Sequence, residues 1–253
     1  MKLSFLGTGT SQGVPVITCK CKVCKSANER DKRLRTSVLI ELDGTTLVID
    51  SGPDFRQQML RENVQKLDAI LFTHEHKDHT AGLDDVRAFN YVQQKPMEVY
   101  CEQRVSNSLK QEFAYVFTNF KYPGLPKINL NIIENKPFVV NNISIEPIRV
   151  KHLKLPIFGF KIGNLAYITD ANYISEQEKG KIKGVKVLVI NALRRESHLS
   201  HFTLQQALDL ITELKPELAY LTHLSHSMGL YEEIKNELPA KVFFAYDGLS
   251  VEI

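Results

Sequence analysis

The chain has 253 residues, 43% hydrophobic and 24% charged, which is enough to bury a sizeable core and too balanced for a fibrous or disordered chain. A formal net charge of +3 argues against an extended nucleic-acid or anionic-membrane surface. No run approaches the roughly 20 apolar residues of a membrane-spanning helix, and Met1–Gly7 lacks the apolar stretch of a signal peptide, so a soluble cytoplasmic protein is expected.

Apolar runs bounded by Gly, Asn, Asp or Pro predict strands over 2–6, 37–42, 45–50, 68–73, 97–100, 128–133, 138–140, 143–150, 157–162, 165–169, 186–190, 217–222 and 241–246. Helical spacing is carried by Phe55, Met59 and Leu60, by Val105, Leu109, Phe113 and Phe117, by Leu204, Leu208, Ile211 and Leu214, and by Leu230, Ile234 and Leu238. No repeat, low-complexity tract or long linker interrupts the series, so one domain over 1–253 is expected. Early strands follow one another as a meander and later ones alternate with helices. Both kinds are thick with apolar residues, which predicts an α/β (α+β) protein whose sheets are sandwiched between helices.

The run His74-Glu75-His76-Lys77-Asp78-His79 holds three of the eight histidines. It follows the strand-like Ala69–Thr73 and therefore sits where a buried strand opens into a loop. Imidazole and carboxylate are what divalent zinc, manganese or iron take as ligands. His74 and His76 face the same way on an extended backbone, while Asp78 and His79 come after a turn and can face a second ion. The run alone does not choose between one metal and two.

Six predicted strands end in an Asp or His: Asp50, His74, His152, Asp170, His223 and Asp247. One aspartate at a strand end is a common turn former. Six residues from the metal-ligand alphabet in the same position favour a shared site built on rigid elements.

His-x-His-x-Asp-His, followed by single His, Asp and His at later strand ends, resembles the metallo-β-lactamase superfamily over the whole chain. The resemblance implies a four-layer αββα sandwich with a binuclear site at the sheet edge. It implies that His74, His76 and His152 hold one metal and Asp78, His79 and His223 the other. Asp170 would then bridge them, with Asp50 orienting ligands from behind.

At the amino terminus, Gly7-Thr8-Gly9-Thr10-Ser11-Gln12-Gly13 and then Cys19-x-Cys21-x-x-Cys24 are similar to the PhnP-type cyclic phosphodiesterases. That likeness implies a separate structural zinc on Cys19, Cys21, Cys24 and His226. Three thiolates and an imidazole are a closed tetrahedral shell in their own right. Lys20, Lys22 and Lys25 interleave the cysteines and are expected to favour thiolate. Cys101 stands alone and reads as a buried thiol. The glycine-rich segment lacks the lysine of a nucleotide P-loop and reads as a tight turn beside the metal site.

His201, just before the helix near Thr203-Leu204, matches the family's non-ligand active-site histidine and would protonate a leaving alkoxide. With Asp78 it makes up the expected catalytic pair. His198 reads as exposed. Arg194 and Arg195 are candidates for pairing with phosphate oxygens.

The cofactors expected are two divalent ions (manganese or zinc, with iron a third choice) and one structural zinc. The reaction expected is hydroxide attack on a small cyclic or diester phosphate, of the cyclic ribose phosphate or cyclic nucleotide type. Three alternatives are a transfer-RNA 3′-processing endonuclease, a glyoxalase II-like thioesterase or lactonase, and a non-catalytic metal-binding module. The first grips its substrate with a basic glycine-rich arm, and the 80–150 region offers only the short loop 121–127. Neither a nucleic-acid nor a membrane partner is expected, a homodimer is left open, and Arg87, Asp247 and the 85–145 region receive no role.

Overall fold

A computed structural model of the chain describes residues 1–118 and 122–253. Among these residues the first of two central sheets contains β1 (Lys2–Gly7), β2 (Ser37–Leu42), β3 (Thr45–Ile49), β4 (Ala69–Leu71), β5 (Met97–Cys101) and β6 (Ile128–Ile132). They run in that spatial order, and the chain's last strand, β15 (Ser250–Glu252), pairs outside β1. The second sheet contains β7 (Phe138–Val140), β8 (Ile143–His152), β9 (Leu155–Ile162), β10 (Leu165–Ile168), β11 (Tyr173–Ile174), β12 (Val187–Asn191), β13 (Leu218–Thr222) and β14 (Val242–Phe244). Its order is β11-β8-β9-β10-β12-β13-β14, with β7 paired to β8.

Side-chain alternation makes the layers. Leu47 and Ile49 of β3 face the second sheet and pack with Phe158, Phe160 and Tyr167. Val48, between them, faces the other way, onto a helical layer formed by α1 (Phe55–Arg61), α3 (Arg87–Gln93) and α4 (Gln103–Glu112). The second sheet does the same: Tyr167 points to the first sheet, while Ala166 and Ile168 meet α5 (Glu176–Ile182) and α6 (Leu204–Leu214). Strands covered on both faces read as unbroken apolar runs, which predicts sheets sandwiched between helices, and the αββα order implied by the family resemblance is the one observed.

Most element positions match the expectation, and the departures have local causes. The helix from Val105 ends at Glu112, and the chain tightens into a 3-10 turn over Ala114–Val116, so Phe117 is not helical. The Leu230–Leu238 periodicity yields only the short α7 (Tyr231–Ile234), so Leu238 is not helical. Leu60 lies on the exposed side of α1. Unpredicted are β11, β15, α3, α5 and the single turn α2 (Lys77–Thr80), each too short or too polar to show a period. The expected loop 121–127 begins at Lys121, which lies outside the described residues. No helix of the described residues is long and apolar enough to cross a membrane.

Strand direction decides where strand-end residues gather. β3, β4, β5 and β6 are mutually parallel, as are β10, β12, β13 and β14, and β8 runs the same way as β10 because two antiparallel pairings separate them. Their carboxyl ends therefore emerge along one edge, where ligands of open α/β sheets bind.

Candidate metal centre

At that edge the chain leaves its strands abruptly. Asp50 after β3, Asp170 after β10 and His223 after β13 all adopt left-handed backbone, with φ of 65°, 59° and 57°. Such conformations are uncommon for residues other than glycine, and they concentrate at functional sites. Here they turn each side chain back over the sheet edge.

Two groups of donor atoms result. His74, His76 and His152 form one; Asp78, His79, Asp170 and His223 form the other, and within each group the donor atoms lie within 4.8 Å of one another. Asp170 also belongs with His152 and His201 by the same measure, so it stands between the groups. Its Oδ2 is 3.3 Å from His79 Nε2 and its Oδ1 is 3.1 Å from His223 Nε2. Asp78 Oδ2 is 3.2 Å from His79 Nε2, and His74 Nε2 is 3.0 Å from His76 Nδ1. Of the six strand-end residues, Asp247 is the one that does not join. It accepts hydrogen bonds from Thr8 Oγ1 and Leu34 N, both at 2.7 Å, and so anchors the glycine-rich loop, while burial pushes its carboxyl up to about 6.

Partners behind the cluster aim the rings. His79 Nδ1 donates to Asp50 Oδ2 at 2.7 Å, and Asp50 also accepts from Thr73 N at 2.9 Å and Thr73 Oγ1 at 2.8 Å. His152 Nδ1 donates to the carbonyls of Asp170 (2.7 Å) and Ser200 (3.1 Å), and His74 Nδ1 meets Thr73 Oγ1 at 2.9 Å. Each of these rings commits Nδ1 to the protein and presents Nε2 to the cluster, the arrangement metal-binding histidines show. Thr73 and Ser200 are invisible as site residues in the sequence.

The electrostatics favour a cation. Burial would lower His79, yet the fields of Asp78, Asp170 and Asp50 outweigh it and hold the ring well above the usual histidine range. Burial likewise would raise Asp170, but His223 and His79 keep its carboxylate ionised. By contrast, burial and the neighbouring His79 hold His74 well below the usual range, and burial and His152 lower His76. Among the described residues the buried atoms His79 Nε2, His223 Nδ1 and Nε2, and His201 Nδ1 have no hydrogen-bond partner. Unpaired buried donors and acceptors are costly, and divalent metal is what this mixed imidazole and carboxylate donor set fits.

A second cluster lies apart. The Sγ atoms of Cys19, Cys21 and Cys24 are 3.3, 3.4 and 3.4 Å from His226 Nδ1. The Cys21 thiol is drawn down to about 6 by the backbone N–H of Cys24 and by His226, and burial pushes Cys24 up to about 11. The interleaved lysines are not the cause expected: Lys22 instead pairs with Glu233 at 2.6 Å. One Cys3His shell suits a structural zinc. His223 and His226 share one short segment, so the two clusters are mechanically joined. Cys101 is fully buried beneath α4 and pushed up to about 12 by burial, as expected of an inert thiol.

A polar cavity of about 210 Å³ opens between the clusters, walled by Thr10, Ser11, Gln12, Arg194, His198 and His201 among others. Arg194 donates to the Ser197 carbonyl at 2.9 Å and, among the described residues, meets no carboxylate, so its charge is available to the cavity. Arg195 is instead paired with Glu237 and is not among the residues that line this cavity. His198 is exposed, with its ring 5.0 Å from that of His201.

Residues 45–224 match the β-lactamase superfamily domain. The chain belongs to the metallo-β-lactamase superfamily, and its fold is that of the family. Within the superfamily it is similar to a diphosphatase from the PhnP family, whose crystal structure is 35% identical, covers 100% of this chain and 97% of that one, and superposes with a TM-score of 0.93. It is also 43% identical over 256 residues to an octanoyltransferase of Porphyromonas gingivalis; that match takes in 100% of this chain and 52% of the relative, so the chain spans about half of that protein's length. Zinc-bound PqqB from Methylobacterium extorquens shares the fold across 100% of both chains, at a TM-score of 0.81 and 18% identity.

The sequence also conceals Gly52. A Cβ there would lie 2.0 Å from the Asp78 carbonyl oxygen, and one on Gly82 would lie 2.1 Å from the Gly52 carbonyl oxygen. These close approaches seat α2 on the loop after β3. Gly52→Ala should therefore displace Asp78 and lower turnover about 100-fold, the cost of misplacing a reacting group by about 1 Å; wild-type rates in the alanine variant would show the contact to be unimportant. Cys21→Ser should remove one equivalent of zinc, measured by elemental analysis, and lower the melting temperature. Retention of full metal content and stability would refute the structural-zinc assignment.

Proposed function

We propose that the chain is a two-metal hydrolase of a small phosphodiester. His74, His76 and His152 would hold one divalent ion and Asp78, His79 and His223 the other, with Asp170 shared. The observation that carries this reading is the position of Asp170, whose carboxylate lies within 4.8 Å of the donor atom of His152 in one group and of those of Asp78, His79 and His223 in the other. Zinc and manganese both suit the mixed imidazole and carboxylate set. Bound there, such ions supply Lewis acidity toward a phosphoryl oxygen and lower the pKa of water toward neutrality.

The chain's own residues do the rest. Asp50 fixes the His79 ring through its Nδ1–H, and Thr73 holds Asp50 in turn. Thr10, Ser11, Gln12 and Arg194 line the cavity with groups that bind phosphate oxygens, and its size favours a small substrate over a polynucleotide.

His201 is buried beside Asp170, with Nδ1 3.8 Å from Asp170 Oδ1. Burial and His223 hold its pKa down at about 3, so the ring is neutral before substrate arrives. A phosphodiester anion in front of it is the opposite charge that raises such a pKa, the direction that a proton donor to the leaving oxygen requires.

The likeness to a PhnP-family diphosphatase supports phosphoryl chemistry and brings a second linkage into view, a P–O–P diphosphate within a small molecule. The acyl transfer named for the Porphyromonas gingivalis relative describes a protein of which this chain spans 52%.

A comparative assay with the manganese- or zinc-loaded chain tests the reading. Bis-p-nitrophenyl phosphate, a cyclic ribose phosphate, a dinucleoside diphosphate, a thioester and a precursor transfer RNA would be offered in parallel. Turnover of a small phosphodiester is expected; turnover of the thioester with no phosphoryl substrate would sink the proposal. His201→Ala should lower kcat by about 10²–10⁴-fold with metal content unchanged. Loss of an ion in that variant would make His201 a ligand rather than a proton donor.

A further inference from the structure

The group His74, His76 and His152 is assembled across two sheets. His74 and His76 follow β4 in the first sheet, whereas His152 ends β8 in the second. Beside this group the backbone supplies one tie, Phe158 N donating to the Thr73 carbonyl at 3.1 Å. A second tie is made by a side chain. Arg104, on the first turn of α4, sends Nη1 to Glu75 Oε1 at 2.5 Å and Nη2 to the Pro156 carbonyl at 2.7 Å. Glu75 lies between His74 and His76. Pro156 is on β9, opposite Lys151 and one position from the His152–Leu155 pair. The guanidinium fork thus spans the sheets immediately beside the three rings.

The surroundings hold that fork in place. Glu102, at the start of α4, accepts two hydrogen bonds from Arg149, at 2.8 and 2.6 Å, and lies 3.7 Å from Arg104. Arg149 is on β8, three residues before His152, and its guanidinium rests 3.8 Å from the Phe158 ring centroid. The other oxygen of Glu75, Oε2, is buried without a hydrogen-bond partner, so Glu75 is held through Arg104. Exposed ion pairs contribute little to stability, and the Arg104 side chain is 34% exposed. A role in overall folding is therefore a poor account of so directed a contact.

We propose that Arg104 is a positioning residue that, through Glu75 and Pro156, sets the spacing of His76 and His152 and thereby the affinity of the first ion. This rests on the assignment of His74, His76 and His152 to one ion. Lysine cannot substitute, because a single ammonium does not reproduce a planar fork aimed at two acceptors.

The test compares wild type, Arg104→Ala, Arg104→Lys and His76→Ala as full-length chains loaded with cobalt(II) or zinc. Bound ions are counted after dialysis against a chelator, and the cobalt absorption spectrum is recorded with the metal-free melting temperature and with kcat and KM. In Arg104→Ala the affinity for one ion should fall about 10–100-fold, as for residues that support metal ligands. The second ion and the cysteine-bound ion should stay, kcat should fall more than KM changes, and the metal-free melting temperature should barely move. Arg104→Lys should not restore the lost ion. Wild-type affinity and kcat in both Arg104 variants would overturn the proposal. So would joint loss of all ions with a lower metal-free melting temperature, which is the mark of a merely structural role. If His76→Ala binds as many ions as wild type, the underlying ligand assignment fails instead, and that result is separable from failure of the clamp.

Discussion

Three carboxylates, the buried Asp50 and Asp170 and the half-buried Asp78, face the imidazoles of His74, His76, His79, His152 and His223 at the junction of two sheets. Burying that much charge is tolerable only if it is compensated locally. The hydrogen bonds that Asp50 accepts from His79 Nδ1 and from Thr73 do part of this, and divalent ions would do the rest. The left-handed turns at Asp50, Asp170 and His223, the glycine contacts under α2 and the parallel strand directions all serve to bring these groups together. The cluster is the constraint; the sandwich is the frame rigid enough to hold it.

The same constraint explains why the site spans the sheets rather than sitting on one. Each sheet is buried on both faces, so its free polar positions lie at strand ends. The donors come from the edges of both sheets. The first sheet supplies Asp50 and the His74–His79 run, and the second supplies His152, Asp170 and His223. Sheet spacing thereby becomes part of the site geometry. Arg104 with Glu75 holds one side of it. On the other, Leu224 N donates to the Thr8 carbonyl at 2.8 Å and ties the His223 segment to the glycine-rich loop. The cysteine cluster pins that segment again at His226.

Much of this is legible in the residues. The metal-type donors sit in a short motif and at the ends of obvious strands, and chemistry that needs particular side chains leaves a plain mark. Apolar runs covered on both faces are enough for sheets sandwiched between helices, and the family resemblance supplies the αββα order. What stays hidden depends on the third dimension. Thr73 and Ser200 are ordinary polar residues until a ring nitrogen points at them. Gly52 matters because of the Asp78 carbonyl, which is distant in the chain and close in space. Arg194 and Arg195 look equivalent in sequence, and only Glu237 separates them. Asp247 shares the strand-end position of the site residues yet serves the loop behind it. Polar α5 and the short β11 and β15 lack a period long enough to register.

The central claim is that the strand-end cluster holds two divalent ions with Asp170 between them. Anomalous X-ray diffraction from crystals grown with zinc, recorded on both sides of the zinc edge, tests it most directly. Two peaks should appear at the cluster, one against His74, His76 and His152 and one against Asp78, His79 and His223. A third should lie among Cys19, Cys21, Cys24 and His226. One peak at the cluster, or two that both avoid Asp170, would contradict the account.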